Sequence, residues 1–426
     1  MSNPILVGID VHRKTNTVCA MDSQGQELTD RFTVDNNLPG THEFVEQLAS
    51  IIADGDFDGI HIAAEATGWY WFHFFQALSH DEFLNQWQVN LYPVNPRLTK
   101  NFKKTYVDME HTDSTDAFIV ADRLRMGRDL PAPFHYDDIY WPLRSLMRYR
   151  YHVVHNLARE KAYCMAILYL KASEYTRIKP FSDTFGAASQ AVLKEFSSIE
   201  EIAAIPFDQL MEFIDNKGKR RFPDPAENTH KLKQVADDSY HLPQAMQQTV
   251  HIILNLSLQH INFLERQQKR LDAAIAQRME SIPHTLDTIP GFGFVFSAGI
   301  IAEIGDIQNF SCDQAKVAKY AGFKWRRHQS ADFKADESKL TRTGNRYLRY
   351  YFCEAANSVR RCDKDYAAFY DRKYKEVRKH QHKRAVVLTA RKLVRLVVRL
   401  LATNQTYQPL CFGYRVARTG RCATRS

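Results

Sequence analysis

The sequence predicts an α/β domain on a mixed sheet, then a long helical region, then a basic and mostly helical C-terminal domain. Three observations lead there. A short continuous apolar run, Ile5 to Ile9, and a second buried-strand pattern, Gly59 to Ala64, stand near the N-terminus; strand signals stop at about Tyr140; and the charge balance changes sign late in the chain. A chain of 426 residues is long enough for two or three separate cores. The expected divisions are 1–135 for the α/β domain, 136–280 for a helical, coiled-coil region with an insert, 281–405 for the C-terminal domain and 406–426 for a basic tail.

Ile5 to Ile9 and Gly59 to Ala64 read as strands buried on both faces. Thr15 to Met21 and Glu27 to Val34 read as two more strands around the turn Asp22-Ser23-Gln24-Gly25. A helix follows near Thr41 to Ala53, an aromatic-rich helix over Trp69 to Ser79, a strand over Gln88 to Val94, and a helix from Thr112 to Met126 closes the unit. Tyr140 to Ser173 and Leu242 to Glu280 are long helical patterns. In the second, Leu254, Ile261, Leu264, Leu271 and Ile275 recur at near-heptad spacing, which suits an antiparallel hairpin or a coiled-coil dimer. Between them, Lys179 to Tyr240 contains short helical pieces broken by Pro206, Pro223 and Pro225, and no role follows from its pattern. Beyond Ser281 the pattern is helical again, ending in an amphipathic helix over Lys383 to Leu400 and a loosely ordered tail from Tyr407.

No run of about 18 uncharged apolar residues occurs, and MSNPILVGID lacks the features of a secretory signal, so a cytoplasmic protein without a membrane span is expected. Seven cysteines without a C-x-x-C pair indicate neither a zinc site nor a disulfide framework. From Lys324 onward there are 26 Lys and Arg against 8 Asp and Glu, leaving 31 against 41 for the preceding residues. Such asymmetry points to a polyanion partner for the C-terminal third; a solvated basic face is the simpler alternative.

Asp10 and Glu65 each come directly after a buried strand, at the carboxyl end where α/β sites are built. Asp113 and Asp116, three apart, share a helix face with Ala117, Val120 and Leu124, the face that packs on the sheet. Each acid has an ordinary explanation: Asp10 could end a strand in a turn, Glu65 could pair with a base, and Asp113 could cap its helix. Together, four converging carboxylates would raise one another's pKa unless a cation compensated them. Mg2+, with Mn2+ as the alternative, suits hard oxygen ligands and phosphoryl transfer.

Gly8-Ile9-Asp10-Val11-His12, Ala64-Glu65-Ala66-Thr67-Gly68-Trp69-Tyr70, Asn95-Pro96 and Thr112-Asp113-Ser114-Thr115-Asp116-Ala117 resemble the N-terminal half of the DEDD-type insertion-sequence transposases, the bridge-RNA-guided recombinases. Ile289-Pro290-Gly291-Phe292-Gly293, Tyr320-Ala321-Gly322-Phe323 and Thr341-Arg342-Thr343-Gly344-Asn345-Arg346-Tyr347-Leu348-Arg349 resemble the family's C-terminal domain. The resemblance implies a RuvC-like, RNase H-type fold for the first domain, with Asp10, Glu65, Asp113 and Asp116 as its magnesium ligands. It also implies a catalytic serine: the family's Gly-x-x-Pro stretch, followed five residues later by Ser-Gly, falls on Gly322 to Ala331, which makes Ser330 the match. Trp325 stands in place of the proline, Ala331 in place of the glycine, and His111 in place of the lysine usual before the Thr-Asp pair. Ser338 and Thr341 are the alternatives if the register shifts.

The resemblance further implies DNA substrates (element ends and target), an element-encoded guide RNA and a homo-oligomer, dimeric or tetrameric, in a bacterial or archaeal cell and associated with its nucleoid. Because the acids and Ser330 lie in different domains, the expected site is shared between domains and possibly between subunits. Gly291 and Gly293 resemble a helix-hairpin-helix turn, where absent side chains let backbone N–H groups approach a phosphate. Lys324, Arg326, Arg327, Lys339, Arg342, Arg346 and Arg349 would line the same nucleic-acid surface. Trp325, Tyr347, Tyr350 and Tyr351 either stack on bases or belong to the core. The rival reading is a hydrolytic nuclease or junction resolvase in which the acids activate water and Ser330 is incidental.

Overall fold

The computed structural model describes all residues except 1–2, 107–108, 111, 129, 132, 327–328, 331–332, 335–338, 341–342 and 410–426, and describes the backbone alone at 326, 329, 330, 333, 334 and 339. The described residues form two compact units, 1–137 and 138–426.

In the first unit, β1 (Ile5–Val11) is the centre of a five-stranded sheet with β2 (Thr15–Met21), β3 (Phe32–Asp35), β4 (Ile60–Glu65) and β5 (Val89–Val94), in the order β3-β2-β1-β4-β5. β1, β4 and β5 run parallel, while β2 and β3 are antiparallel at one edge. The helices are α1 (Leu38–Ala53), α2 (Tyr70–Leu78), α3 (Pro96–Lys103) and α4 (Asp113–Met126). Strand β1 is buried on both faces, as its unbroken apolar run requires: Ile5, Val7 and Ile9 are fully covered, while Leu6 packs with Ala117, Val120 and Leu124 of α4.

Gly8 sets how closely α4 lies on the sheet. A Cβ at this position would stand 2.1 Å from the Ala121 nitrogen and 2.3 Å from the Ala117 oxygen. Only glycine lets the helix backbone rest directly on β1. In a strand, residues two apart share a face, so the face that receives α4 at Gly8 also presents Asp10 one pleat further on.

The third strand is shorter than the sequence pattern suggests. Glu27 makes only an isolated bridge to Met21 and turns its carboxylate to Arg31, at 2.7 Å, so the stretch before Phe32 is a charged loop. Helix α3 has no counterpart in the sequence pattern; Asn95 caps it by accepting from the Arg97 N–H, with Pro96 at its first position. Helix α1 begins at Leu38, capped by Asn37, earlier than the periodicity places it.

The second unit opens with α5 (Tyr140–Lys171). The insert then contributes α6 (Tyr175–Ile178), α7 (Ala187–Glu195), α8 (Ile199–Ala204), α9 (Phe207–Lys217) and α10 (Pro225–Asp238) before α11 (Gln244–Met279) returns. Arg150 pairs with Asp272 and Lys161 with Glu265, so α5 and α11 form an antiparallel hairpin within one chain. Leu254, Ile261 and Leu264 of the near-heptad set pack into one core with Val192, Leu210 and Leu232 of the insert. Ile275 belongs instead to the core of the C-terminal helices. The insert leaves and rejoins the hairpin through a reciprocal pair of hydrogen bonds: the Glu174 N–H donates to Ser239 Oγ, and the Tyr240 N–H to Ser173 Oγ.

The C-terminal part comprises α12 (Phe294–Ile304), α13 (Gln314–Tyr320), four two-residue strands β6 (Trp325–Arg326), β7 (Gln329–Ser330), β8 (Phe333–Lys334) and β9 (Lys339–Leu340), then α14 (Arg346–Cys362), α15 (Lys364–Lys375) and α16 (Gln381–Thr403). The short strands correct the expectation of a helical segment here: β6 pairs with β9 and β7 with β8, both antiparallel. Leu393, Val394 and Val397 bury the apolar stripe expected of α16, with Ala385, Thr389 and Ala390 replacing Val387 and Leu388 on its innermost face. Tyr351 is core, its hydroxyl donating to the Met147 carbonyl. Among the described residues, Cys19, Cys164, Cys312, Cys353 and Cys362 are free thiols. No described helix is long and apolar enough to cross a membrane.

The base of the short-strand segment is anchored by a buried polar network. Glu303 on α12 is fully buried and accepts two hydrogen bonds from Arg148, at 2.8 and 2.9 Å, and one from Asn345 Nδ2 at 2.6 Å. Asn345 Oδ1 in turn caps α14, accepting from the N–H groups of Tyr347 and Leu348. Removing one partner of such a pair leaves an uncompensated charge. Glu303→Ala is therefore expected to destabilise the second unit by about 2–4 kcal/mol, and Glu303→Gln by less because the Asn345 contact survives. Denaturant melts of both variants test this; a Glu303→Gln protein as stable as wild type would show that the charge pair contributes nothing.

Candidate metal centre

The parallel register pairs Ile9 with Ala64, so Asp10 and Glu65 leave neighbouring strands at the same level. Helix α4 points its N-terminus at this edge. Thr112 is its cap, accepting from the Thr115 N–H at 3.1 Å, so the capping role that the sequence leaves open for Asp113 is filled by its neighbour. Asp113 and Asp116 both occupy the first turn, where carboxylates are favoured by the helix dipole. Arg31 steadies this turn from the β2–β3 loop, donating to the Ser114 carbonyl and stacking over Phe118.

His12 joins the acids. Its Nε2 lies 3.2 Å from Asp10 Oδ2 and 3.3 Å from Asp113 Oδ1. Among the described residues, Asp10, His12 and Asp113 form the group whose ligand atoms lie close enough together to hold one metal ion. Asp116 instead receives the ammonium of Lys103 from α3. Glu65 accepts from the Thr67 hydroxyl at 3.1 Å. All four predicted acids thus sit at one edge of the sheet, with Asp10 and Asp113 joined directly through His12, and with Glu65 and Asp116 turned to other partners. The inward stripe of α4 is correct for Ala117, Val120 and Leu124, whereas the Asp113 side chain is 64% exposed.

The electrostatics are those of an under-compensated acidic cluster. Burial, followed by the charges of Asp116, Asp113 and Glu65, raises the Asp10 pKa to about 6 against the lowering effect of His12. Burial works against a charged His12, but Asp10 and Asp113 outweigh it and raise the pKa of the imidazole. Oxygen-rich donors with a surplus of negative charge fit a hard divalent cation, and a neutral imidazole adds a nitrogen donor.

Comparison with known proteins shows the family. A family model described as "Transposase", of the IS110 DEDD type, matches residues 7–170, and one described as "Transposase IS116/IS110/IS902 family" matches residues 283–371. The chain belongs to the IS110-type insertion-sequence transposases. A relative from Mycobacterium paratuberculosis, the "Insertion element IS900 uncharacterized 42 kDa protein", is 24% identical over 413 residues, covering 96% of this chain and 98% of its own. As a transposase the chain acts on DNA, cutting and rejoining it. The first match ends inside α5 and the second begins after α11, so the insert lies between them.

Elsewhere in this transposase the predicted residues divide. Ser330 lies in β7, its backbone opposite Phe333 in a short hairpin; its side chain is outside the described set. Arg327, Arg342, Ser338 and Thr341, the Ala331 and His111 departures, and the side chains of Arg326 and Lys339 are likewise outside it. Lys324 is exposed. Arg346 is exposed, donating to the Tyr347 hydroxyl and stacking on its ring, and Arg349 reaches the Ala321 carbonyl at 3.5 Å. Gly291, at φ +78°, is required by packing, because a Cβ there would stand 2.8 Å from Cys362 Sγ. Gly293 caps α12 with open space around it, leaving the helix's first N–H groups approachable.

His12 and Lys103 are the site residues that sequence reasoning missed. Asp10-x-His12 carries a signal, since alternate strand residues share a face; Lys103 carries none, because it depends on where α3 lands.

Proposed function

We propose that this transposase breaks and remakes DNA phosphodiesters at a Mg2+ centre formed by Asp10, Glu65, Asp113 and Asp116, with Ser330 as nucleophile. The observation that carries the reading is the convergence of Asp10 and Asp113 on one point, where burial first, and the neighbouring acids after it, raise the Asp10 pKa to about 6. A bound divalent ion would supply Lewis-acid stabilisation of charge on the phosphate oxygens.

The remaining chemistry belongs to the chain. A serine hydroxyl is a weak nucleophile at neutral pH and needs a base or a metal to activate it, and an acidic metal-binding cluster is suited to supply both. Ser330 Oγ bonds to phosphorus as the phosphorus–oxygen bond to one sugar breaks, and that sugar oxygen picks up a proton. One phosphodiester replaces another, so rejoining needs no external energy source. The basic excess after Lys324 supports contact with nucleic acid; the proposal includes a guide RNA that selects the DNA sites and a homo-oligomer.

The decisive measurement is a covalent trap. Wild-type protein with Mg2+, guide RNA and labelled element DNA should give a protein–DNA adduct that survives denaturation, and Ser330→Ala should give none. Strand cutting by Ser330→Ala at the wild-type rate, with no adduct from either protein, would establish water as the nucleophile and the resolvase reading instead.

A further inference from the structure

The insert between α5 and α11 carries a concentrated basic turn on an otherwise acidic segment. Residues 179–240 hold 8 Lys and Arg against 11 Asp and Glu, yet Lys217, Lys219, Arg220 and Arg221 fall within five consecutive positions. The other fifty-seven positions therefore carry 4 cations against 11 acids. General basicity does not explain the run.

The turn is held in a fixed shape. Lys219 and Arg220 both have positive φ, 57° and 53°, a conformation unfavourable for residues with a Cβ. The Arg220 N–H donates to the Asp215 carbonyl at 2.9 Å, and the Lys219 N–H to that of Asn216 at 3.1 Å. Phe222 closes the turn: its ring lies where a Cβ on Gly218 would fall and contacts Phe181 with centroids 5.8 Å apart. Lys219, Arg220 and Arg221 are exposed, with no carboxylate in ion-pair range among the described residues.

Lys217 connects the turn to a cleft. A depression of about 530 Å³ is lined by Lys217, Lys194, Gln190 and Asn262, and a second of about 560 Å³ continues it along α11 past Arg266 and Lys269, sharing Asn262 and Glu265. Two acids also line it: Glu265, which is bound by Lys161 at 2.6 Å, and Glu195, which is exposed. The amides of Gln190 and Asn262 bond to each other, at 3.0 and 2.7 Å, and so are not free to read bases. Exposed cations without a carboxylate partner among the described residues, spaced along a concave track, match the repeating charge of a nucleic-acid backbone.

We infer that the insert and the adjoining face of α11 form a second nucleic-acid contact, in which Lys217, Lys219, Arg220, Arg221, Arg266 and Lys269 bind phosphodiester groups of a strand. It rests on the function proposed above only in that the chain handles nucleic acid; the metal centre plays no part.

The test is fluorescence anisotropy with the full chain and three probes: single-stranded RNA, single-stranded DNA and duplex DNA of one sequence. Lys217→Gln, Lys219→Gln, Arg220→Gln and Arg221→Gln are combined in one variant. Its affinity should fall at least about tenfold at 0.1 M salt, and the slope of log K against log salt should shrink by about 3, since each phosphate contact contributes about 0.7–0.9. The probe that shows the loss identifies the strand. A second variant exchanging Lys for Arg and Arg for Lys at these positions should bind as wild type. Unchanged affinity and slope on all three probes would overturn the inference, as would equal loss in the charge-conserving variant, which would trace the effect to the turn's shape. Divalent-ion stabilisation of the same proteins is measured in parallel; it reads the Asp10 centre alone, so the two ideas fail separately.

Discussion

Asp10→Asn should lower DNA cleavage by about a thousandfold or more while leaving a protein that melts no lower than wild type. The activity loss, about 4 kcal/mol or more in barrier, is the size expected when one member of a cooperating set is removed. The stability gain comes from linkage. In metal-free protein Asp10 titrates near 6 rather than at its ordinary 3.8, so between those values the folded state binds more protons than the unfolded chain. Stability on this group's account falls as pH rises from about 4 to 6 and stays reduced above. With solvent screening of the site discounted, the penalty at pH 7 is about 1 kcal/mol, or a few degrees in Tm. In a chelator, Asp10→Asn should recover that amount at pH 7 and nothing below pH 4. Added Mg2+ should raise the Tm of wild type and leave the variant unmoved. A variant that melts lower at pH 7, or that responds to Mg2+ as wild type does, would remove Asp10 from the centre.

Gly8→Ala has a larger structural effect. The added methyl would meet the Ala121 nitrogen and Ala117 oxygen at 2.1 and 2.3 Å, more than an ångström inside van der Waals contact. Both are main-chain atoms and cannot rotate away. Helix α4 must lift from β1, losing the contacts of Leu6, Ala63, Ala117 and Val120 and moving Asp113 and Asp116 away from Asp10. The expected loss is about 4 kcal/mol or more, in the range reserved for severe overpacking. Limited proteolysis should show 1–137 cleaved first, and Mg2+ should no longer raise the Tm. Gly293→Ala is the control, because its Cβ would meet nothing within 4 Å. Similar melting of the two variants would show that α4 is free to adjust and that its close approach to β1 does not depend on glycine.

Much of the first unit is legible in its sequence because burial on both faces leaves an unmistakable run. Ile5 to Ile9, and Gly59 to Ala64 interrupted only by the half-buried His61, mark β1 and β4, and the residue next after each stands at the sheet's carboxyl edge, which locates Asp10 and Glu65. The Asp113 and Asp116 spacing works for the same reason, a fixed helical period. Glu27 to Val34 misleads because apolar spacing says nothing of a carboxylate's partner; Arg31 captures Glu27, and the strand starts only at Phe32. The β6–β9 strands of two residues each are too short for any period to register. Lys103 meets Asp116 only through the placement of α3, a tertiary event. For Lys217 to Arg221 the run itself is plain, but its fixed turn and the paired amides beside it are visible only in three dimensions.

The crossed serine hydrogen bonds at Ser173 and Ser239 give the insert a closed neck. Chain length inside the neck is thereby uncoupled from the register of the α5–α11 hairpin, so residues can be gained or lost there without rotating either helix. The neck does not make the insert dispensable, because Leu254, Leu258 and Ile261 of α11 rely on it for cover. The hairpin therefore behaves as a socket: one module can be exchanged for another that presents an apolar face of similar size, while the segments on either side in sequence keep their own geometry.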